Sequence, residues 1–161
     1  MIKFFRKVRA FRKFYKEKII MKKLLCAVFS LFILLSFSSC NVKPGNVENV
    51  EISYGESEKY SKKDMDSAVQ VVLDEFRTWN GFELYSISYA GDKKCLDESE
   101  LDYCNSLREN ANFVDCIIFY SSFHTPPNNN EGFNGNEDYT GWNWYLAREA
   151  GGEWQLLTWG Y

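Results

Sequence analysis

Residues 142–161 read WNWYLAREAGGEWQLLTWGY, and this stretch decides the fold. Two runs rich in Trp, Tyr and Leu flank Gly151 and Gly152, the pattern of a β-hairpin. With those glycines as the two turn residues, Trp142 faces Tyr161, Trp144 faces Trp159 and Leu146 faces Leu157. Directly opposed residues share a face of a sheet. This even register therefore gathers six large side chains on one side, where they read as core. An odd-length turn would throw the two sets apart. The other face shows Asn143, Tyr145, Ala147, Leu156, Thr158 and Trp154. That mixed surface, with Tyr145 and Trp154, is the better place for a ligand.

Upstream lies a polar stretch, His124 to Gly141, with two prolines and three glycines. Asn128, Asn130, Glu131, Asn136, Glu137 and Asp138 are oxygen donors suited to calcium, but they do not reproduce the spacing of an EF-hand loop. The stretch reads as a solvated loop, and no metal or other cofactor is expected. Asn130 and Asp138 complete the candidate ligand surface with Tyr145 and Trp154, because aromatic rings beside Asn and Asp are a common way to hold sugars. Before the loop, Phe113 to Phe123 (FVDCIIFYSSF) carries apolar residues on both faces and predicts a central strand. Asp115 is the exception within it.

Further back, Ser61 and Asp64 open a capping-type helix start. Met65, Ala68, Val69, Val72, Leu73 and Phe76 then form one apolar stripe. Phe82 to Tyr89 predicts a strand with Glu83, Tyr85, Ile87 and Tyr89 on one face, and Asp97 to Arg108 a second, weaker helix. The sum is an α+β fold: a long N-terminal helix packed on a curled antiparallel sheet of about four strands, cystatin-like or NTF2-like in manner.

Of five cysteines, Cys95, Cys104 and Cys116 fall in this predicted domain. Cys95 and Cys104 flank the second helix and can pair only if their Cα atoms approach within about 7 Å. Cys116 reads as a small buried hydrophobe. Which of the three join in a disulfide stays open, and their spacing matches no zinc pattern.

Met21 to Cys40, MKKLLCAVFSLFILLSFSSC, has a basic start, an apolar run from Leu24 and a serine-rich close, the anatomy of a secretory signal. The run is too short for a spanning helix, which needs about 20 apolar residues. With Cys40 directly after Ser38 and Ser39, it resembles the lipobox of bacterial lipoproteins. That resemblance implies cleavage after residue 39 and a lipid on Cys40, palmitate-type acyl chains among it. The expected organisation is a signal over 21–39, lipidated Cys40 with a linker to residue 60 in which Val50 to Tyr54 could add a short edge strand, and one domain over 61–161. Residues 1–20 carry eight Lys or Arg and one acid. They are expected to be either a misassigned start or a long n-region. From Cys40 on, nine Lys or Arg stand against 21 Asp or Glu, a net of −12. So acidic a body is unsuited to nucleic acid, which needs clustered Lys and Arg.

The SFSSC close, SEKYSKKDMDSAVQVVLDEF, ISYAGD, and GWNWYLARE through EWQLLTWGY together look like the small lipoproteins of unknown function common in Clostridia-type Gram-positive bacteria. The resemblance implies a place on the outer face of the cytoplasmic membrane, held by the lipid on Cys40. It implies no reaction. The favoured expectation is a non-catalytic module binding an envelope protein, peptide or glycan. The alternative is a small envelope enzyme, and Asp115, His124 and Asp138 are the only acid–base set the sequence offers.

Overall fold

A computed structural model describes residues 43–129 and 132–161. Cys40 and the stretch read as a signal lie outside the described residues, as does Asn130. Five strands form one mixed sheet in the order β1-β2-β3-β4-β5. They are β1 (Glu51–Ser53), β2 (Glu83–Tyr89), β3 (Asp115–His124), β4 (Asp138–Arg148) and β5 (Gln155–Gly160). Three helices accompany them: α1 (Lys62–Phe76), α2 (Asp92–Cys95) and α3 (Glu98–Ser106).

This corrects the expected architecture in two ways. The sheet is mixed, because β1 pairs parallel to β2 while the other neighbours run antiparallel. The helix is not N-terminal, because it follows β1 and spans 15 residues. Both follow from one connection. A strand joined to a parallel neighbour needs a crossover of a dozen or more residues, and α1 is that crossover. The three residues of β1 are all exposed; they fall inside Val50 to Tyr54, where the sequence allows a short edge strand but gives no sign of its parallel pairing.

The fold also reaches further back than residue 61. The amide of Gly81 donates to the carbonyl of Lys43 at 2.8 Å, that of Gly45 to Arg77 at 3.1 Å, and that of Asn46 to Phe82 at 2.8 Å. Residues 43–60, expected as linker, are tied into the domain.

Helix α1 starts where Ser61 Oγ accepts the amide of Asp64 at 3.2 Å. It buries Met65, Ala68, Val69, Val72 and Phe76 against one sheet face. There β3 and β4 present Ile117, Phe119, Phe123, Trp144 and Leu146, all fully buried. Trp144 is the largest of these side chains, and its indole N–H is satisfied by Ser121 Oγ at 2.8 Å, the polar partner a buried Trp needs. The opposite face is covered by α2 and α3, over Cys116 and Ile118. Strand β3 is thus covered on both sides, as its two apolar faces require.

The hairpin departs from the two-glycine register. Trp144 pairs with Trp159 and Asn143 with Gly160, but Leu146 pairs with Leu156, after a bulge between Tyr145 and Leu146. The turn itself closes from the Gly152 amide to the Glu149 carbonyl at 2.9 Å, with Gly151 at φ +69°. With Ala147 paired to Gln155, residues 148–154 connect the strands, an odd length. One bulged residue restores the register beyond it, which is how the aromatic pairs still meet.

Candidate functional site

The bulge decides which residues reach a surface. A shift of one residue moves a side chain to the other face, and Trp154 lies on the shifted side. It is buried against Tyr60, with ring centroids 5.7 Å apart, and under Arg148, whose guanidinium carbon lies 4.2 Å from the ring centre. Tyr145 instead meets Tyr103 of α3 at 5.2 Å, on the opposite face. Asp138 stands at the far end of β4. Tyr145, Trp154 and Asp138 do not form one surface, and Asn130 lies outside the described residues.

The rings that do reach solvent are at the end of the sheet where β4 begins and β5 ends. Trp159 is 40% exposed and Tyr161 79%. Behind them stand Trp142, 5.7 Å from Trp159 and 5.1 Å from Tyr161, and Trp79, 5.0 Å from Trp159. Tyr139 stacks on Phe123 at 5.2 Å and an interplanar angle of 4°, and lies near-parallel to Tyr161 at 6.4 Å. Phe133, from the loop before β4, packs on Trp79 and Trp142. Two of the rings assigned to the core by pattern thus form the outer layer of an aromatic rim. Sheet pairing fixes which face a residue takes, but not how far the covering helix extends, and α1 ends at Phe76.

The loop before this rim is held in place. Thr125 is fully buried, donates to the Asn134 carbonyl at 2.7 Å and accepts the Glu137 amide at 2.9 Å. The Tyr139 hydroxyl accepts the Asn134 amide at 3.1 Å. The indole N–H of Trp142 is buried and finds no acceptor among the described residues. An unmatched buried donor costs about 1–3 kcal/mol.

The acid–base set is not assembled. Asp115 is the first residue of β3 and His124 the last, and ten residues at about 3.3 Å each put them about 30 Å apart. His124 Nδ1 and Asp138 Oδ1 do meet, at 2.8 Å. Tyr85 stacks on the imidazole at 6.4 Å, because a bulge between Leu84 and Ser86 turns it outward. That bulge also breaks the face expected for Glu83, Tyr85, Ile87 and Tyr89.

Asp115 has a structural partner instead. Arg148 donates to it from Nε at 3.0 Å and grips Asp64 of α1 at 2.7 and 3.1 Å. Lys59 completes the cluster, 2.9 Å from Asp115. Burial pushes the Asp115 carboxyl up, but hydrogen bonds from Lys59 and Arg148 outweigh it and hold it below the usual carboxylate range. A carboxylate so held is a poor general base at neutral pH.

No group of three or more His, Cys, Asp or Glu among the described residues is placed to hold a metal ion. No helix among them is long and apolar enough to cross a membrane. Comparison with protein-family models, with curated proteins and with solved structures finds no match.

Proposed function

We propose that this chain is a lipid-tethered envelope protein that binds a membrane-proximal glycan through its aromatic rim and performs no chemistry on it. The observation that carries the reading is the exposed pair Trp159 and Tyr161, backed by Trp142, Trp79 and Tyr139. Flat rings with one side in solvent suit the C–H faces of sugars, and Trp and Tyr offer large contact area with an amphipathic edge. The acidic body favours a neutral or amino-sugar chain over a polyanion. The signal anatomy of residues 21–40 supplies the tether. Two acyl chains hold firmly where one binds only marginally.

Two measurements test the two halves. Metabolic labelling with palmitate should mark the full chain in a bacterium with lipoprotein processing, and Cys40→Ala should abolish the label. A labelled Cys40→Ala chain overturns the tether. Muramidase-released cell-wall fragments, added to the purified full chain, should raise its melting temperature by several degrees, as a ligand well above its dissociation constant does. An equal shift in Trp159→Ala, or no shift in either protein, overturns the rim as a glycan site.

A further inference from the structure

Cys95, Cys104 and Cys116 are all buried, at 3%, 0% and 2% exposure. They are not equivalent. Cys104 on α3 and Cys116 on β3 place their sulfurs 3.2 Å apart. Cys95 is engaged elsewhere: its sulfur accepts the Ile118 amide at 3.3 Å and lies 3.9 Å from the Ile118 carbonyl. Burial pushes the Cys95 thiol up and keeps it protonated, the inert condition of a structural cysteine.

We propose that Cys104 and Cys116 are a disulfide-forming pair that staples α3 to the central strand when the protein matures in an oxidising compartment. An S–S bond is about 2.0 Å long, so the two sulfurs need to close by about 1 Å. The backbone between them is already shaped for it. Asn105, next to Cys104, accepts the Phe113 amide at 2.9 Å and donates to the Phe113 carbonyl and the Leu101 carbonyl, both at 3.2 Å. One side chain thereby closes the same loop that the disulfide would close covalently.

The oxidant is a disulfide of a small molecule or of a thiol oxidase. The Cys104 thiolate attacks one sulfur of that disulfide, forms a mixed disulfide and releases the first thiolate. The Cys116 thiolate then displaces the second. Two electrons pass to the oxidant, and the two cysteine protons end on its released thiolates. Both sulfurs are closed off in the folded state, so the exchange belongs to folding or to a local opening of α3. Afterwards the same packing shields the bond from reductants. A small pocket of about 100 Å³ beside Cys116, lined also by Tyr60, Cys95, Leu101 and Asp115, is too small to admit a peptide-sized thiol.

The full chain, unfolded with reductant, is refolded in a glutathione redox buffer, alkylated in denaturant and cut after glutamate. Cleavage after Glu98 or Glu100 separates Cys95 from Cys104, and cleavage after Glu109 separates Cys104 from Cys116. The expected product is one peptide pair joined through Cys104 and Cys116, two hydrogens lighter than its parts, with Cys95 alkylated. Cys95→Ser should keep that crosslink, and its oxidised form should melt several degrees above its reduced form. Full alkylation of all three cysteines, or a link through Cys95, overturns the proposal. The proposal does not depend on whether Cys40 carries a lipid.

Discussion

The phenol of Tyr60 donates a hydrogen bond to the main-chain carbonyl of Cys116 at 2.9 Å, inside the domain. Its ring meets Tyr89 edge-on at 6.2 Å and Trp154 at 5.7 Å. Tyr60 thus ties the stretch before α1 to the central strand and to the hairpin at once. Tyr60→Phe keeps the ring and leaves the carbonyl without its partner. It should cost about 1–3 kcal/mol, the range for a buried unsatisfied acceptor, read as a lower denaturant midpoint at unchanged slope.

Gly45 is where the early segment touches the helix end. A methyl group there would run into the Phe76 carbonyl oxygen and meet the Trp79 carbonyl oxygen at 2.9 Å. Both are backbone atoms, which cannot swing aside. Gly45→Ala should therefore destabilise by about 1–3 kcal/mol, as overpacking does. A mutant as stable as the parent would show that residues 43–46 contribute nothing to the domain.

Arg148 neutralises two carboxylates at once. Arg148→Leu leaves Asp64 and Asp115 facing each other without it, at the low exposure of 24% and 16% for their side chains. Breaking a half-buried pair from one side should cost about 2–4 kcal/mol. The Asp115 carboxyl is held low in the fold, so its contribution is fully present above the ordinary carboxylate range, near 4. It is lost as pH falls through the depressed folded value. Denaturant titrations at pH 7 and pH 3 should show a smaller acid loss in Asp115→Asn than in the parent.

Trp79 touches rings on α1, β3, β4 and β5, Phe82 just before β2, and Phe133 in the loop before β4. Trp79→Ala should cost about 3–5 kcal/mol. Trp159→Ala, which removes a 40% exposed ring, should cost clearly less and instead abolish the response to cell-wall fragments. Equal losses of stability would place Trp159 in the core and remove it from the rim.

What could be read in the sequence was what rests on local pattern. The stripe from Met65 to Phe76 and the cap at Ser61 mark α1, and Gly151-Gly152 marks the hairpin. The paired surfaces were less legible. The short edge strand within Val50 to Tyr54 could be read, but nothing local shows that it pairs parallel to β2. A bulge adds one residue at a place nothing in the composition announces, and it alone moved Trp154 from surface to interior. Tyr60 looked like linker because its partners, Cys116 and Trp154, lie far along the chain. The separation of Asp115 from His124, by contrast, was already implied in the sequence: Asp115 lies near the start of the strand predicted over 113–123, and His124 follows its end.

The hydrogen bond from Gly81 to Lys43 also sets a leash. Only Asn41 and Val42 separate Cys40 from the first tied residue, and at about 3.3–3.6 Å per residue that is roughly 10 Å of reach. Gly81 lies two residues from Trp79, whose ring backs Trp159. On the proposed tether, a lipid on Cys40 would leave the domain only that short span of chain from its anchor. The domain would then work only within a thin stratum beside the membrane.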